Sequence, residues 1–131
     1  MTGVTSQADR TCYAALVQNF QNVDVWHRAH ELVLEVYRAT EKLPKSEVFG
    51  VTVQLRRAAI SVPTRIAEGC GRENDTEFAA QLHKAQGGAT ELEYLLLLCR
   101  DLGYLPAEDY EALVERVVTV KKMLFGLLRR L

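Results

Sequence analysis

Gln54 to Arg72 reads QLRRAAISVPTRIAEGCGR, and fifteen residues further on comes Gly87-Gly88-Ala89. The first stretch has the apolar spacing of a long helix with Pro63 inside it, stopped by Gly69 and Gly71. The second places two glycines in the middle of another helical stretch. Both features weaken an isolated helix. An interior proline costs about 3 kcal/mol, and an interior glycine about 1 kcal/mol against alanine. Packing against neighbouring helices has to offset that, so the stretch predicts close helix-on-helix contact. An antiparallel hairpin turning near residues 72 and 73 sets Ala58 opposite Gly87, small facing small.

Working outward, the same period covers most of the chain. Trp26, Ala29, Val33, Val36, Thr40 and Leu43 predict a first helix from about Val23 to Lys42, ended by Pro44. The second runs from about Ser46, a plausible N-cap, to Gly69. The third opens at Asn74, with Glu77 placed for a capping box, and stops at Gly103. Pro106, Glu108 and Asp109 suit the first turn of a fourth. Connections of about 3–5 residues between helices leave an antiparallel up-down-up-down bundle as the expected all-α fold. Residues 1–20 read as a flexible N-terminal tail, and residues 21–131 as the four-helix bundle domain.

The chain has 131 residues, 48% hydrophobic, with a net charge of −1, which gives no global pull toward polyanions. Cys12, Cys70 and Cys99 show no CxxC spacing, so neither a disulfide framework nor a zinc site is suggested. No secretory signal or bilayer-length apolar run is present, and the expected location is cytoplasmic. Three histidines occur without any Glu-x-x-His, the spacing a di-metal bundle requires. His27, His30 and Glu31 can share a helix face and could bind a metal, but a plain polar helix surface is the favoured reading. Phosphate-loop, dinucleotide and nucleophile-elbow motifs are missing. The sequence therefore predicts no enzyme, no cofactor and no metal.

Two surfaces stand out. On the second helix, Arg57, Ser61, Arg65, Glu68 and Arg72 recur every three or four residues as one polar stripe. It reads either as an ion-paired face, with Glu68 between Arg65 and Arg72, or as an arginine ridge for phosphates, with Arg57, Arg65 and Arg72 as the contacts. On the fourth helix, Tyr110, Leu113, Val117, Val120, Leu124, Leu127 and Leu131 form the core seam. Beside it lies a second apolar stripe, Val114, Val118, Phe125 and Leu128, and Leu95 to Leu98 are apolar on every side of the third helix. That surplus predicts self-association through the Val114, Val118, Phe125, Leu128 stripe.

These residues, in order, also carry a resemblance. Val25-Trp26 with Ala29, Pro44 with Glu47 and Gly50, Gln54-Leu55-Arg56-Arg57-Ala58 and Ser61-Val62-Pro63 fit one pattern. So do Ile66-Ala67-Glu68-Gly69, Gly71-Arg72, Glu77-Phe78, Ala85, Gly87 and Glu91-Leu92-Glu93. The pattern resembles that of the bacterial four-helix-bundle proteins encoded in intervening sequences of large-subunit ribosomal RNA genes. The resemblance implies a homo-oligomeric ring, usually a pentamer, with no known enzymatic activity. A related branch, the accessory variability determinant of diversity-generating retroelements, forms basic pentamers that bind nucleic acid and a reverse transcriptase. Arg65, where the family commonly has Asn, adds charge; Gly88 and Asn74 stand where serines are common. The expected function is a non-enzymatic homo-oligomeric module with an RNA or ribonucleoprotein partner on the arginine face, or a protein-binding ring with no nucleic-acid role. No membrane partner is expected.

Overall fold

The computed structural model describes residues 19–131, and among them it contains four α-helices and no strand. They are α1 (Asp24–Thr40), α2 (Val51–Cys70), α3 (Asp75–Asp101) and α4 (Ala107–Leu128). Each helix packs on its two neighbours around a square, α1 on α2, α2 on α3, α3 on α4 and α4 back on α1, while the diagonal pairs stay apart. That is the expected antiparallel bundle. The expected tail over residues 1–20 lies outside the described residues except for Asn19 and Phe20, and Cys12 lies outside them too.

The core follows the sequence period. Val51, Leu55, Ala58, Ala59, Val62 and Ile66 of α2 are all buried, as are Leu113, Val117, Val120 and Leu124 of α4. The α4 seam is shorter than the heptad suggests: Tyr110 and Leu127 are only half-buried and Leu131 is exposed. Leu95 and Leu96 are buried, whereas Leu97 and Leu98 are half-buried, so α3 keeps one partly open side.

The helix ends show how local chemistry sets the boundaries. The Asn74 side-chain oxygen accepts the Glu77 N–H at 2.9 Å, and its amide donates to the Glu77 carboxylate at 3.3 Å. The box thus closes through the asparagine amide rather than the backbone. At the other end of α3, Gly103 takes φ 78°, the Tyr104 N–H donates to the Cys99 carbonyl at 2.9 Å, and the Gly103 N–H to that of Arg100 at 3.0 Å. This is a Schellman ending, which glycine enters without a Cβ penalty. Pro106 sits at the cap of α4, one residue before its first turn.

Two expectations need correction. Ser46 does not cap α2. It lies in a 3₁₀ turn, Lys45–Glu47, and α2 opens only at Val51 with Gly50 as its cap residue. The reason is Glu47: its carboxylate accepts the Val51 N–H at 3.3 Å and the Tyr104 hydroxyl at 2.9 Å, tying the turn to both neighbouring segments. A Cβ on Gly50 would lie 2.5 Å from Glu47 Oε1, so the glycine makes room for that carboxylate. The α1–α2 connection is accordingly longer than the expected few residues.

The second correction concerns register. Gly87 is exposed, and a Cβ there would meet nothing within 4 Å. Gly88 is the buried glycine. Its missing Cβ would collide with Ser61 Oγ and would sit 3.5 Å from Val62 Cγ2. A second close approach lies nearer the turn, where a Cβ on Gly69 would stand 2.6 Å from Phe78 Cδ1. Ser61 with Gly88 and Gly69 with Phe78 are therefore displaced by two to four residues from the Ala58–Gly87 pairing, and Gly87 itself lies on the outer face of α3.

Candidate interaction surface

The outer side of α2 carries a concavity. A groove of about 630 Å³ runs along it, bounded by Tyr37 from α1 and Val48 from the connecting segment. Along α2 itself it is lined by Thr52, Val53, Arg56, Arg57, Ile60, Ser61, Thr64, Arg65 and Glu68. Ile60 remains 41% exposed although it sits mid-helix, and Tyr37 and Val48 are also open to solvent. The spacing that buries Val62 and Ile66 turns Ile60 outward, so this apolar floor is additional to the core.

The arginines around it differ in what they do. Arg56 is held: its Nε donates to Thr40 Oγ1 at 2.8 Å and its guanidinium lies 4.3 Å from the Tyr37 ring centre. Thr40 can accept because its own hydroxyl proton goes back to the Val36 carbonyl at 2.8 Å. Arg56 therefore stitches α2 to α1 and fixes the Tyr37 rim. Arg65 pairs with Glu68 at 3.1 Å, a half-exposed i,i+3 bridge worth about 0.2–0.5 kcal/mol. Arg57 is exposed and makes no ion pair or side-chain hydrogen bond among the described residues. Arg72 lies beyond the end of α2 at Cys70, outside the groove, and the expected Glu68–Arg72 pair does not form. The stripe thus brings Arg57 and Arg65 together and leaves Arg72 apart.

The α4 stripe is partly absorbed by the fold. Val114 and Leu128 are half-buried and pack against the core, and Val118 is half-buried. Phe125 is 57% exposed, with the Arg129 guanidinium 5.7 Å from its ring centre. Nearby, Lys121 pairs with Glu93 at 2.9 Å and its carbonyl accepts from Gln86 at 3.0 Å, closing the seam between α3 and α4.

The remaining chemistry-bearing side chains serve local structure. His27 Nε2–H donates to the Gln21 carbonyl at 2.6 Å, and His30 stacks on Trp26 with ring centres 5.1 Å apart. Among the described residues no group of three or more His, Cys, Asp or Glu is placed to hold a metal ion. Cys70 and Cys99 are buried, and burial together with the nearby Glu47 carboxylate pushes the Cys99 thiol above its ordinary value. Donating to Glu47 likewise raises the Tyr104 phenol. Neither group is activated for attack near neutral pH. No described helix is long and apolar enough to cross a membrane.

Fold and surface together define a four-helix bundle with an open groove along the outer side of α2. The chain belongs to the 23S rRNA-intervening sequence protein family, whose model matches residues 21–126. Among solved structures it is similar to a protein of unknown function from the S23 ribosomal protein family of Bacteroides thetaiotaomicron, with a TM-score of 0.76 at 23% identity. That likeness covers 85% of this chain and 99% of the other, and it shows the shared fold. No curated protein matches.

The expectations for Arg57 and Arg65 located one wall of the groove. The apolar members, Tyr37, Val48 and Ile60, are absent from them. Ile60 could have been found: on a helical wheel it falls outside the sector that buries its apolar neighbours. Tyr37 and Val48 come from other segments and join it only through the fold.

Proposed function

We propose that this chain is a non-enzymatic, self-associating protein-interaction module whose docking face is the α2 groove. The observation that carries this reading is the open apolar floor of Tyr37, Val48 and Ile60 beside Arg57, a mixed surface of the kind that protein contacts bury. A phosphate-binding ridge fits less well, since Arg56 and Arg65 have partners inside the chain and Arg72 stands outside the groove. The family resemblance adds the expectation of a closed ring, a pentamer, and the buried thiols suit a reducing cytoplasm. The α4 stripe is the weaker candidate, because Val114 and Leu128 already pack on the core.

Sedimentation equilibrium tests it. The expected mass is several times the 14.8 kDa of the chain, falling toward the chain mass for Ile60→Glu and unchanged for Phe125→Glu. A monomeric wild type at micromolar concentration, or assembly indifferent to Ile60→Glu, overturns the reading. RNA is the other arm. Affinity for structured RNA that falls steeply with salt, and loses that slope when Arg57, Arg65 and Arg72 become Gln, would make the face a nucleic-acid surface.

A further inference from the structure

Taking the α2 groove as the docking face, we infer that its occupant is the outer ridge of α3 from a second copy of the chain, in a head-to-tail contact. Ala80, Gly87 and Tyr94 recur at seven-residue spacing and so form one line along α3, pointing away from the core. All three are exposed, and Tyr94 is 59% exposed, an aromatic ring standing on the outside of the bundle.

Gly87 is the informative member. A glycine in a helix interior is unfavourable, and here nothing among the described residues explains it, since a Cβ would meet none of their atoms within 4 Å. Gly88 and Gly69 have neighbours inside the bundle that require them; Gly87 has none. A partner backbone approaching from outside supplies the missing reason. The groove answers the ridge in shape, a concave strip on one helix against a convex line on another, with Tyr94 an aromatic anchor for the floor around Ile60.

Charge points the same way. Residues 44–72 carry five basic and two acidic side chains, whereas residues 73–101 carry two basic and six acidic. Arg57 on the groove and Glu91 on the ridge are both exposed, and among the described residues neither makes an ion pair or side-chain hydrogen bond within the chain. Each is the complement of the other. Groove and ridge lie on different helices, so the contact is heterologous: every copy offers both halves. Such contacts propagate into rings or filaments, whereas a self-complementary patch would stop at a two-fold dimer.

The test pairs two exposed-surface variants, Ile60→Glu to disable the groove and Tyr94→Glu to disable the ridge. Circular dichroism and a thermal melt confirm that each folds. Each alone is expected to sediment at the chain mass. Mixed in equal amounts, they should give a species of twice that mass and nothing larger, because one good groove meets one good ridge. Gly87→Leu should act like Tyr94→Glu while keeping or raising helical content. If Ile60→Glu dissociates the assembly while Tyr94→Glu and Gly87→Leu leave it intact, the groove docks on something other than this ridge, and the inference fails while the docking-face reading stands. If Ile60→Glu has no effect, that reading falls first. Restoration of assembly in an Arg57→Glu, Glu91→Arg double variant, after loss in each single one, would place the two side chains across the contact.

Discussion

Replacing Gly69 with alanine measures how closely α2 and α3 approach. The new Cβ would lie 2.6 Å from Phe78 Cδ1, 3.0 Å from Cε1 and 3.2 Å from Gln81 Cβ. Carbon atoms prefer about 3.5–4.0 Å, so the first contact is roughly 1 Å too short. The Phe78 ring is 1% exposed and surrounded by core, which leaves it no direction to retreat. Overpacking of this kind costs about 1–3 kcal/mol. Against it stands the helix preference of alanine, at most about 1 kcal/mol and less in a last turn. The expected net is a loss of about 1–2 kcal/mol. Gly126→Ala is the matched control, for it adds the same methyl near the end of α4 where nothing lies within 4 Å, and it should gain about 0.5–1 kcal/mol.

Urea unfolding followed by circular dichroism reads both changes. With a slope of about 1–3 kcal/mol per molar, the Gly69 variant should lose roughly 0.5–1 M in midpoint at unchanged slope. Chain concentration is held fixed, because any assembly makes stability depend on it. Adding Phe78→Leu supplies a cycle: leucine lets the methyl in, so the double variant should be more stable than the sum of the two single losses predicts. A Gly69→Ala protein as stable as wild type, or an additive cycle, would refute the close approach at this end of the hairpin.

Three further outcomes follow from particular contacts. Asn74→Ala removes the N-cap of α3 and should cost about 1 kcal/mol in the same titration, with Asn74→Ser close to neutral. Tyr104 and Cys99 have folded values raised above their ordinary 10.0 and 9.0, so the folded state favours their protonated forms. The stability they contribute is complete below those ordinary values and is lost as pH climbs through the raised ones; wild type should weaken from about pH 9 upward, and Tyr104→Phe should weaken less steeply. Glu47→Gln keeps the length but weakens the acceptor for the Tyr104 hydroxyl and the Val51 N–H; a loss of about 1–2 kcal/mol and a lower Tyr104 phenol titration are expected, read by denaturant and by ultraviolet absorbance.

What the sequence made legible follows from how far each signal reaches. Face selection is local: the position of Val62 or Ile66 around α2 depends only on the helical period, and both are buried as that period requires. The Asn74 cap and the Gly103 ending are also decided within a few residues. Axial register is not local in this sense. Any displacement of the turn's centre shifts facing pairs by twice as much, and Ser61 rather than Ala58 lies across from the glycines; which glycine faces inward is set by the period, since Ala85, Gly88, Ala89 and Leu92 share the buried side of α3. The start of α2 fails for a related reason. Ser46 has the chemistry of a cap, but Glu47 wins because its carboxylate reaches Tyr104, a residue 57 positions away.

The surface was the least legible part, and the arginines show why. Arg57, Arg65 and Arg72 look equivalent in a list of spacings, yet one has no partner among the described residues, one is paired with Glu68, and one lies past the helix end. Whether a guanidinium is available to a ligand depends on where the helix stops and which acceptor its fork reaches first. Gly87 carries the complementary lesson. As a sequence feature it suggested a contact inside the bundle; placed on the outer face of α3 with open space above it, the same residue becomes an argument about a second molecule. Gly87 shares its outer line with Tyr94 and Glu91 and serves no neighbour among the described residues, which assigns it to a neighbouring copy, and the mixed sedimentation of Ile60→Glu with Tyr94→Glu puts that assignment to a measurement.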